Sequence, residues 1–501
     1  MTHSNGLVWL RRDLRTHDHH ALRMALKSCQ NVWVVFVFDT DILSHLLERG
    51  LKKDRRVDFI WQSLEEIDTE LRTKGGGLIV RHGKATEIIP QLAKDLDVHA
   101  VFTNKDYEPA AIERDRVVAL ALEQSDIAFH SYKDHVIFEH QEVLTGQGGV
   151  FSVFTPYKNA WLKKLQISDI DAHAVDLDRG QCAAIPKSLN IPFSSLESMG
   201  FEATGLQSYL PTGMSGASQL FEEFLGRMDH YHTTRDYPSV KGPSYLSLHS
   251  RFGTISIRAL VREAHQRMLA GSMGATIWLS ELIWRDFYFM ILSNHPRLAP
   301  NLKQSLIVHG TSGHESFKSD YDKIVWESGT KAQKLFKAWC EGKTGYPLVD
   351  AAMHQLNQSG YMHNRLRMVV ACFLIKDLGI DWRWGEQYFA DHLNDFDFAA
   401  NNGGWQWASS SGCDAQPYFR IFNPITQSEK FDADGKFIKK YLPQLSKLSK
   451  KTIHAPWLAG DIELDIAGIR LGRDYPLPIV QHDEARKNTL IRYSVVKKES
   501  I

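Results

Sequence analysis

From Asp395 to Trp407 the sequence reads Asp-Phe-Asp-Phe-Ala-Ala-Asn-Asn-Gly-Gly-Trp-Gln-Trp. Each glycine weakens a helix by about 1 kcal/mol relative to alanine. Asp and Asn compete with the backbone for hydrogen bonds and favour caps and turns. The segment is therefore expected to be irregular backbone that sets carboxylates and amides against something flat, a cofactor, with the tryptophans beside it. A second mixed segment runs from Met362 to Met368, Met-His-Asn-Arg-Leu-Arg-Met, at the head of an apolar run. Polar groups on a buried helix need partners; an anionic cofactor and the carboxylates of Asp395 and Asp397 would serve. In a third, Trp278, Glu281 and Arg285 fall on one helical face at i, i+3, i+7, with Trp284 adjoining. A glutamate among aromatics is costly to bury unless it hydrogen-bonds something.

Lys241-Gly-Pro-Ser-Tyr-Leu-Ser247 is a turn leading into a serine-flanked run. Such a run can hold a phosphate with N–H groups and hydroxyls, begin a helix, or do both. Arg11-Arg-Asp-Leu-Arg15 follows the first strand-like run. Ends of strands in open α/β sheets bind ligands, and surface charge packing is the alternative; spacing leaves both open. Gly342-Lys-Thr344 has lysine rather than glycine at position 337 and follows a helix-like segment, so it is not a phosphate-binding P-loop. No Gly-x-Gly-x-x-Gly opens the first helix, and Asp395-x-Asp-x-Ala fails as a calcium loop. His17, His19 and His20 lack a partner set at zinc spacing and are expected to be a solvated helix start. No metal site is expected.

Five short apolar runs (7–10, 32–38, 78–80, 100–103 and 127–130) alternate with helical spacing over 20–28, 54–74, 86–96 and 110–124. That alternation predicts a parallel sheet with helices on both faces, over residues 1–134. Residues 135–217, rich in Gly, Pro and Ser, are expected to be a long linker with a few short helices. Residues 218–480 have helical periodicity and are expected to be a larger all-helical domain, with 481–501 a tail. The tryptophan pairs 382/384 and 405/407 stand at i, i+2, so one core face cannot hold both members of either pair.

A chain of 501 residues has room for two or three domains, and 43% hydrophobic with 24% charged residues is a globular composition. No apolar run is long enough to span a membrane. The N-terminus lacks the features of a signal peptide, and five scattered cysteines favour a reducing compartment. These features set the expectation of a cytoplasmic protein. The formal net charge is zero, so any nucleic-acid contact must come from a local basic face.

Taken in order along the chain, these motifs resemble the photolyase/cryptochrome family. The resemblance runs from Val8-Trp-Leu-Arg-Arg-Asp-Leu-Arg15 to Asp474-Tyr-Pro-Leu-Pro-Ile-Val480, and is dense at 341–347, 362–368, 395–407 and 418–424. Within the family the chain is most similar to bacterial class I cyclobutane pyrimidine dimer photolyases. The resemblance implies an α/β domain joined by a linker to a helical FAD-binding domain. Tyr231 and Ser244, Tyr245, Leu246 and Ser247 would hold the FAD phosphates. Trp278, Arg285, Asn364, Arg367, Asp395, Phe396 and Asp397 would complete the cofactor site, Arg367 paired to Asp395. Asn401 would lie beside flavin N5, and Trp405, Trp382 and Trp326 would relay electrons to the flavin.

The implied substrate is UV-damaged DNA with its dimer flipped out of the duplex. Glu281 would hydrogen-bond the lesion; Trp284, Met368 and Trp407 would contact it. Asn364, Arg235, Arg365, Arg420 and Gln427 would face lesion or DNA. In the family, excited reduced FAD donates an electron, the cyclobutane ring splits and the electron returns. Departures from the family pattern are Pro243 for threonine, Tyr245 for arginine, Tyr361 for tryptophan and a longer stretch between Trp326 and Trp339. Tyr107-Glu108 is followed by Pro-Ala-Ala, not by the Asn-Glu of folate-using relatives. The antenna is thereby left open between methenyltetrahydrofolate, 8-hydroxy-5-deazaflavin, another flavin, and none. The alternatives are a cryptochrome photoreceptor, against which stands the lack of a long tail after Val480, and a (6-4) photoproduct photolyase. The latter chemistry uses two histidines near the lesion; Asn364 and Met368 occupy the positions where such relatives carry His, and only His363 remains nearby. A monomer without membrane contact is expected.

Overall fold

The computed structural model describes residues 3–300 and 314–496. Five strands, β1 (His3–Leu10), β2 (Cys29–Asp39), β3 (Leu78–Gly83), β4 (Ala100–Asn104) and β5 (Ala128–Tyr132), form one parallel sheet in the order β3-β2-β1-β4-β5. Each of the five apolar runs is a strand. Alternation along β1 and β2 divides the core between the faces. Val8, Leu10, Val34 and Phe36 pack with helices His20–Ser28 and Arg55–Thr73. Leu7, Trp9, Val35 and Val37 pack with helices Ala85–Asp95 and Pro109–Glu123. Helix Thr40–Glu48, which the periodicity did not suggest, buries only Leu43.

By compactness the chain forms two units that interleave in sequence. One comprises the residues up to Phe151, Thr155–Asp229 and Ser244–Asn294; the other comprises Ser152–Phe154, His230–Pro243 and the described residues from His295 onward. In the first unit the linker packs tightly: Leu177, Leu196, Met199, Phe201 and Leu206 join the core on one face of the sheet. Trp161, on helix Phe154–Lys164, is fully buried. The second unit is helical around Leu356, Leu366, Val370, Leu374 and Ile438.

Two expectations are corrected here. Residues Phe398–Ser409 are not irregular but an α-helix, with Asp397 in the capping position and the Asn401 N–H donating to its carbonyl at 2.9 Å. Side-chain hydrogen bonds offset the poor helix propensity: Asn402 donates to Glu386 Oε1 of another helix at 2.9 Å, and Gln406 to Asn402 Oδ1 within the helix at 2.8 Å. The histidines near position 19 are not a uniformly solvated start. His17 is exposed, but His19 is fully buried, with Nε2 at 3.0 Å from Asp13 Oδ2 and Nδ1 accepting from the Leu22 N–H at 3.1 Å.

The basic run after β1 is also buried. Arg12 pairs with Asp106 and Glu108, both at 3.1 Å, and Arg15 with Asp134 at 2.6 Å. Asn104, at the end of β4, donates to Asp13 at 2.7 Å and thereby closes the point between β1 and β4 where the strand order reverses. Burial pushes the Asp13 carboxyl up, but His19, His135 and the Arg11 N–H together outweigh it and bring the value down to about 2. Thr344 of the Gly-Lys-Thr segment is buried and donates from its N–H and hydroxyl to Asp350, at 2.7 and 2.6 Å. The segment is thus bound to the first turn of helix Pro347–Ser359 and is not a phosphate loop.

Candidate active site

In the first unit, helix Met273–Asn294 carries one group of candidate residues. Trp278 is buried and packs on Phe224, ring centroids 4.8 Å apart. Glu281 and Trp284 are half-buried, and Trp284 stacks on Tyr288 at 5.4 Å. Arg285 donates to the His135 carbonyl and lies 4.8 Å over the Phe289 ring. The same unit holds the 244–247 turn. Tyr245 has φ +61°, in the left-handed region that a bulky residue rarely adopts. Ser244 Oγ accepts from the Leu246 N–H at 3.4 Å, and helix Ser247–Phe252 begins directly after it. The turn and helix readings of this segment therefore hold together.

Sequence reasoning missed Asp286 on the same helix. Its Oδ2 accepts from the Ile137 and Phe138 N–H groups at 3.1 and 3.2 Å and from Trp161 Nε1 at 3.0 Å. Burial pushes its pKa up to about 6 against these hydrogen bonds. The only signal in the sequence was an aspartate within an apolar helix.

In the second unit, helix Asn364–Cys372 presents an exposed Asn364 and half-buried Arg365, Arg367 and Met368. Arg367 pairs with Asp395 at 2.8 Å and donates to the Met362 carbonyl at 2.9 Å. Arg365 pairs with Asp236 at 2.9 Å and lies 4.4 Å over Phe431. His363 is buried and caps this helix, accepting from the Arg365 N–H at 3.2 Å; burial pushes its pKa down to about 4. Tyr231 is buried, with the half-buried Arg235 guanidinium 5.3 Å over its ring.

Asp397 is buried, Asp395 and Phe396 half-buried. Asn401 is half-buried and donates from Nδ2 to the Glu386 carbonyl at 3.1 Å. The Glu386 carboxylate, which sequence reasoning also missed, joins Asn402 to His314, the latter at 2.7 Å. Trp405 and Trp382 are buried, and Trp326 is half-buried with its ring edge on Tyr493 at 6.0 Å. Trp405 packs edge-on against Phe389 at 5.0 Å. Trp407 is half-buried, so the two tryptophans of the i, i+2 pair do face different surroundings. Arg420 is exposed, and Gln427 is half-buried on helix Pro424–Phe431.

Comparison with known proteins gives this arrangement its context. The family described as DNA photolyase matches residues 6–176, and the FAD binding domain of DNA photolyase matches residues 278–495. The chain is 38% identical over 499 residues to a deoxyribodipyrimidine photo-lyase of Vibrio cholerae, covering 98% of this chain and 99% of the relative. Its fold is similar to that of a bacterial class III photolyase from Agrobacterium tumefaciens, with a TM-score of 0.87 at 32% identity, covering 100% of this chain and 99% of the other. It is also similar to an archaeal photolyase from Sulfolobus tokodaii that holds two FAD molecules, with a TM-score of 0.79 at 31% identity, covering 98% and 100%. The chain belongs to the DNA photolyase family.

Proposed function

We propose that this protein is a deoxyribodipyrimidine photo-lyase that uses FAD and light to split cyclobutane pyrimidine dimers in DNA. The observation that carries the reading is the full-length likeness to photo-lyases, together with the match to their FAD binding domain. The donor set fits a flavin dinucleotide. Ser244, Ser247 and the open turn at Tyr245 suit phosphates. Asn364, Asn401 and the Arg367–Asp395 pair suit the polar edge of a ring system.

Reduced FAD, when bound, supplies the photoexcitable electron donor. The chain's own residues bind and orient. Asn401 has its Nδ2 fixed on the Glu386 carbonyl, which leaves its side-chain oxygen to face the cofactor. Phe396 and Asp397 line the same site. Glu281 is assigned the hydrogen bond to the flipped lesion, and Trp284, Met368 and Trp407 are each assigned an apolar contact with it. Flipping costs a few kcal/mol, less for a lesion that already pairs badly. Arg235, Arg365, Arg420 and Gln427 face the DNA backbone. Buried Trp405 and Trp382 with half-buried Trp326 form an electron relay from surface to cofactor, a reading supported by the burial of the first two and the partial exposure of the third. His363 is taken up as a helix cap, which favours dimer repair over (6-4) chemistry.

Among the described residues no helix is long and apolar enough to cross a membrane; we place the enzyme in the cytoplasm as a monomer. The test is repair of DNA carrying either lesion type by purified protein. Dimers should be reversed under blue light and not in darkness, (6-4) products in neither. Glu281→Gln should slow dimer repair by roughly an order of magnitude, the scale of one net hydrogen bond of about 1.4 kcal/mol. Equal recovery in light and dark would overturn the assignment.

A further inference from the structure

We infer that Arg227 is a phosphate-binding residue of the FAD site, supplying a cation that the 243–247 turn does not itself contain. The inference rests on the cofactor reading above and is argued from Arg227, Phe224, Tyr245 and Trp278, all of the first unit. Pro243-Ser-Tyr-Leu-Ser247 offers hydroxyls and N–H groups but no charged side chain. A dinucleotide diphosphate is anionic, and charge-assisted hydrogen bonds to it are about twice as strong as neutral ones. Arg227 lies just beyond helix Gly213–Leu225. Its guanidinium is 5.3 Å over the Phe224 ring and 6.0 Å over the ring of Tyr245. Phe224 in turn packs on Trp278 at 4.8 Å. Arg227 thus belongs to one contiguous patch with Tyr245 and Trp278, two of the residues assigned to FAD.

The fixing of the side chain favours this role. Nη1 donates to the Glu223 carbonyl at 2.7 Å, which holds one arm of the guanidinium, and the rings of Phe224 and Tyr245 hold its plane. A planar fork held in this way loses little entropy on taking up an oxyanion. A structural reading, in which arginine only caps the helix end, accounts for the bond to Glu223. It does not account for Tyr245, whose ring meets Arg227 from a backbone conformation costing roughly 1 kcal/mol. The tyrosine ring and the arginine together do what an arginine at position 245 would do alone.

The experiment follows FAD release from holoprotein by flavin fluorescence at rising NaCl. Arg227→Gln is expected to release FAD about tenfold faster than the unmodified protein, the loss of one charged contact. It should also flatten the acceleration of release by salt, because the screened charge is gone. Arg227→Lys should fall between the two and keep the salt response. If Arg227→Gln does not yield holoprotein, the double variant Arg227→Gln/Tyr245→Arg decides: recovery of bound FAD supports the inference, and its absence overturns it. Release by Arg227→Gln at the unmodified rate, or faster release with an unchanged salt response, would overturn it as well. An unmodified protein that binds no FAD would instead overturn the cofactor reading together with this inference.

Discussion

At the scale of single residues, Trp405, proposed above as a relay tryptophan, is held by an absence of side chain. Gly385, on helix Trp382–His392, faces it so closely that an added Cβ would lie 2.0 Å from Trp405 Cη2 and 2.6 Å from Leu374 Cδ2. Gly385→Ala must therefore displace the indole, and overpacking of this kind costs about 1–3 kcal/mol. Urea unfolding should show that loss, and light-driven reduction of oxidised FAD should slow. Gly404 is the natural control, since an added Cβ there meets nothing within 4 Å. Gly404→Ala should stabilise the helix by roughly 0.5–1 kcal/mol. Equal behaviour of the two variants would refute the account. The contrast also marks what sequence can reveal about a residue. Composition exposed the 395–407 segment as unusual, but it could not tell the glycine that another helix needs from the one that helix propensity merely tolerates. The hydrogen bond from Asn402 to Glu386, which keeps the segment helical, joins residues 16 apart and leaves no periodic trace.

At the scale of elements, helix Met273–Asn294 is tied to the linker through Asp286, whose oxygen takes donors from Ile137, Phe138 and Trp161. Asp286→Ala strands three buried donors, each costing about 1–3 kcal/mol. Asp286→Asn keeps an acceptor and should cost far less. The pH dependence separates charge from hydrogen bonding. The folded carboxyl, raised by burial to about 6, sits above its ordinary value of 3.8. Between those values the unfolded chain ionises while the folded one stays protonated, so this group's contribution falls as pH rises through the window and is constant above it. Denaturation of the unmodified protein and Asp286→Asn from pH 4 to 6.5 should move the balance in favour of Asn; a constant difference would refute the raised value. The five strands and their crossover helices were legible because periods of 2 and 3.6 residues are local. Helix Thr40–Glu48 was not: its stripe of Leu43, Leu46 and Leu47 is only two turns long and follows β2 directly, with no turn residue to separate the two. The packing of the linker was not legible either: Trp161 and Asp286 are 125 residues apart, and neither announces the other.

For the whole molecule, a formal net charge of zero means that DNA is not drawn in by global charge. Affinity must come from individual cations, and these differ in what they give up on binding. Arg420 is exposed, so engaging a phosphate releases a counterion from the DNA at little cost to the protein. Arg365 is already paired with Asp236 at 2.9 Å and seated over Phe431 at 4.4 Å, so a phosphate must compete with a carboxylate for it. Binding to dimer-containing duplex, measured by fluorescence anisotropy across a salt series, should show log K falling with log salt by about 0.9 for each phosphate neutralised. Arg420→Gln should lower that slope by close to one such step, weakening damaged and undamaged DNA alike. Arg365→Gln should change the slope less, because the pair it dissolves was internal, and should lower the unfolding midpoint by freeing Asp236 and exposing the Phe431 ring. Equal slope changes in the two variants would show that Arg365 leaves Asp236 on binding, and a slope unaltered by Arg420→Gln would remove that residue from the DNA face.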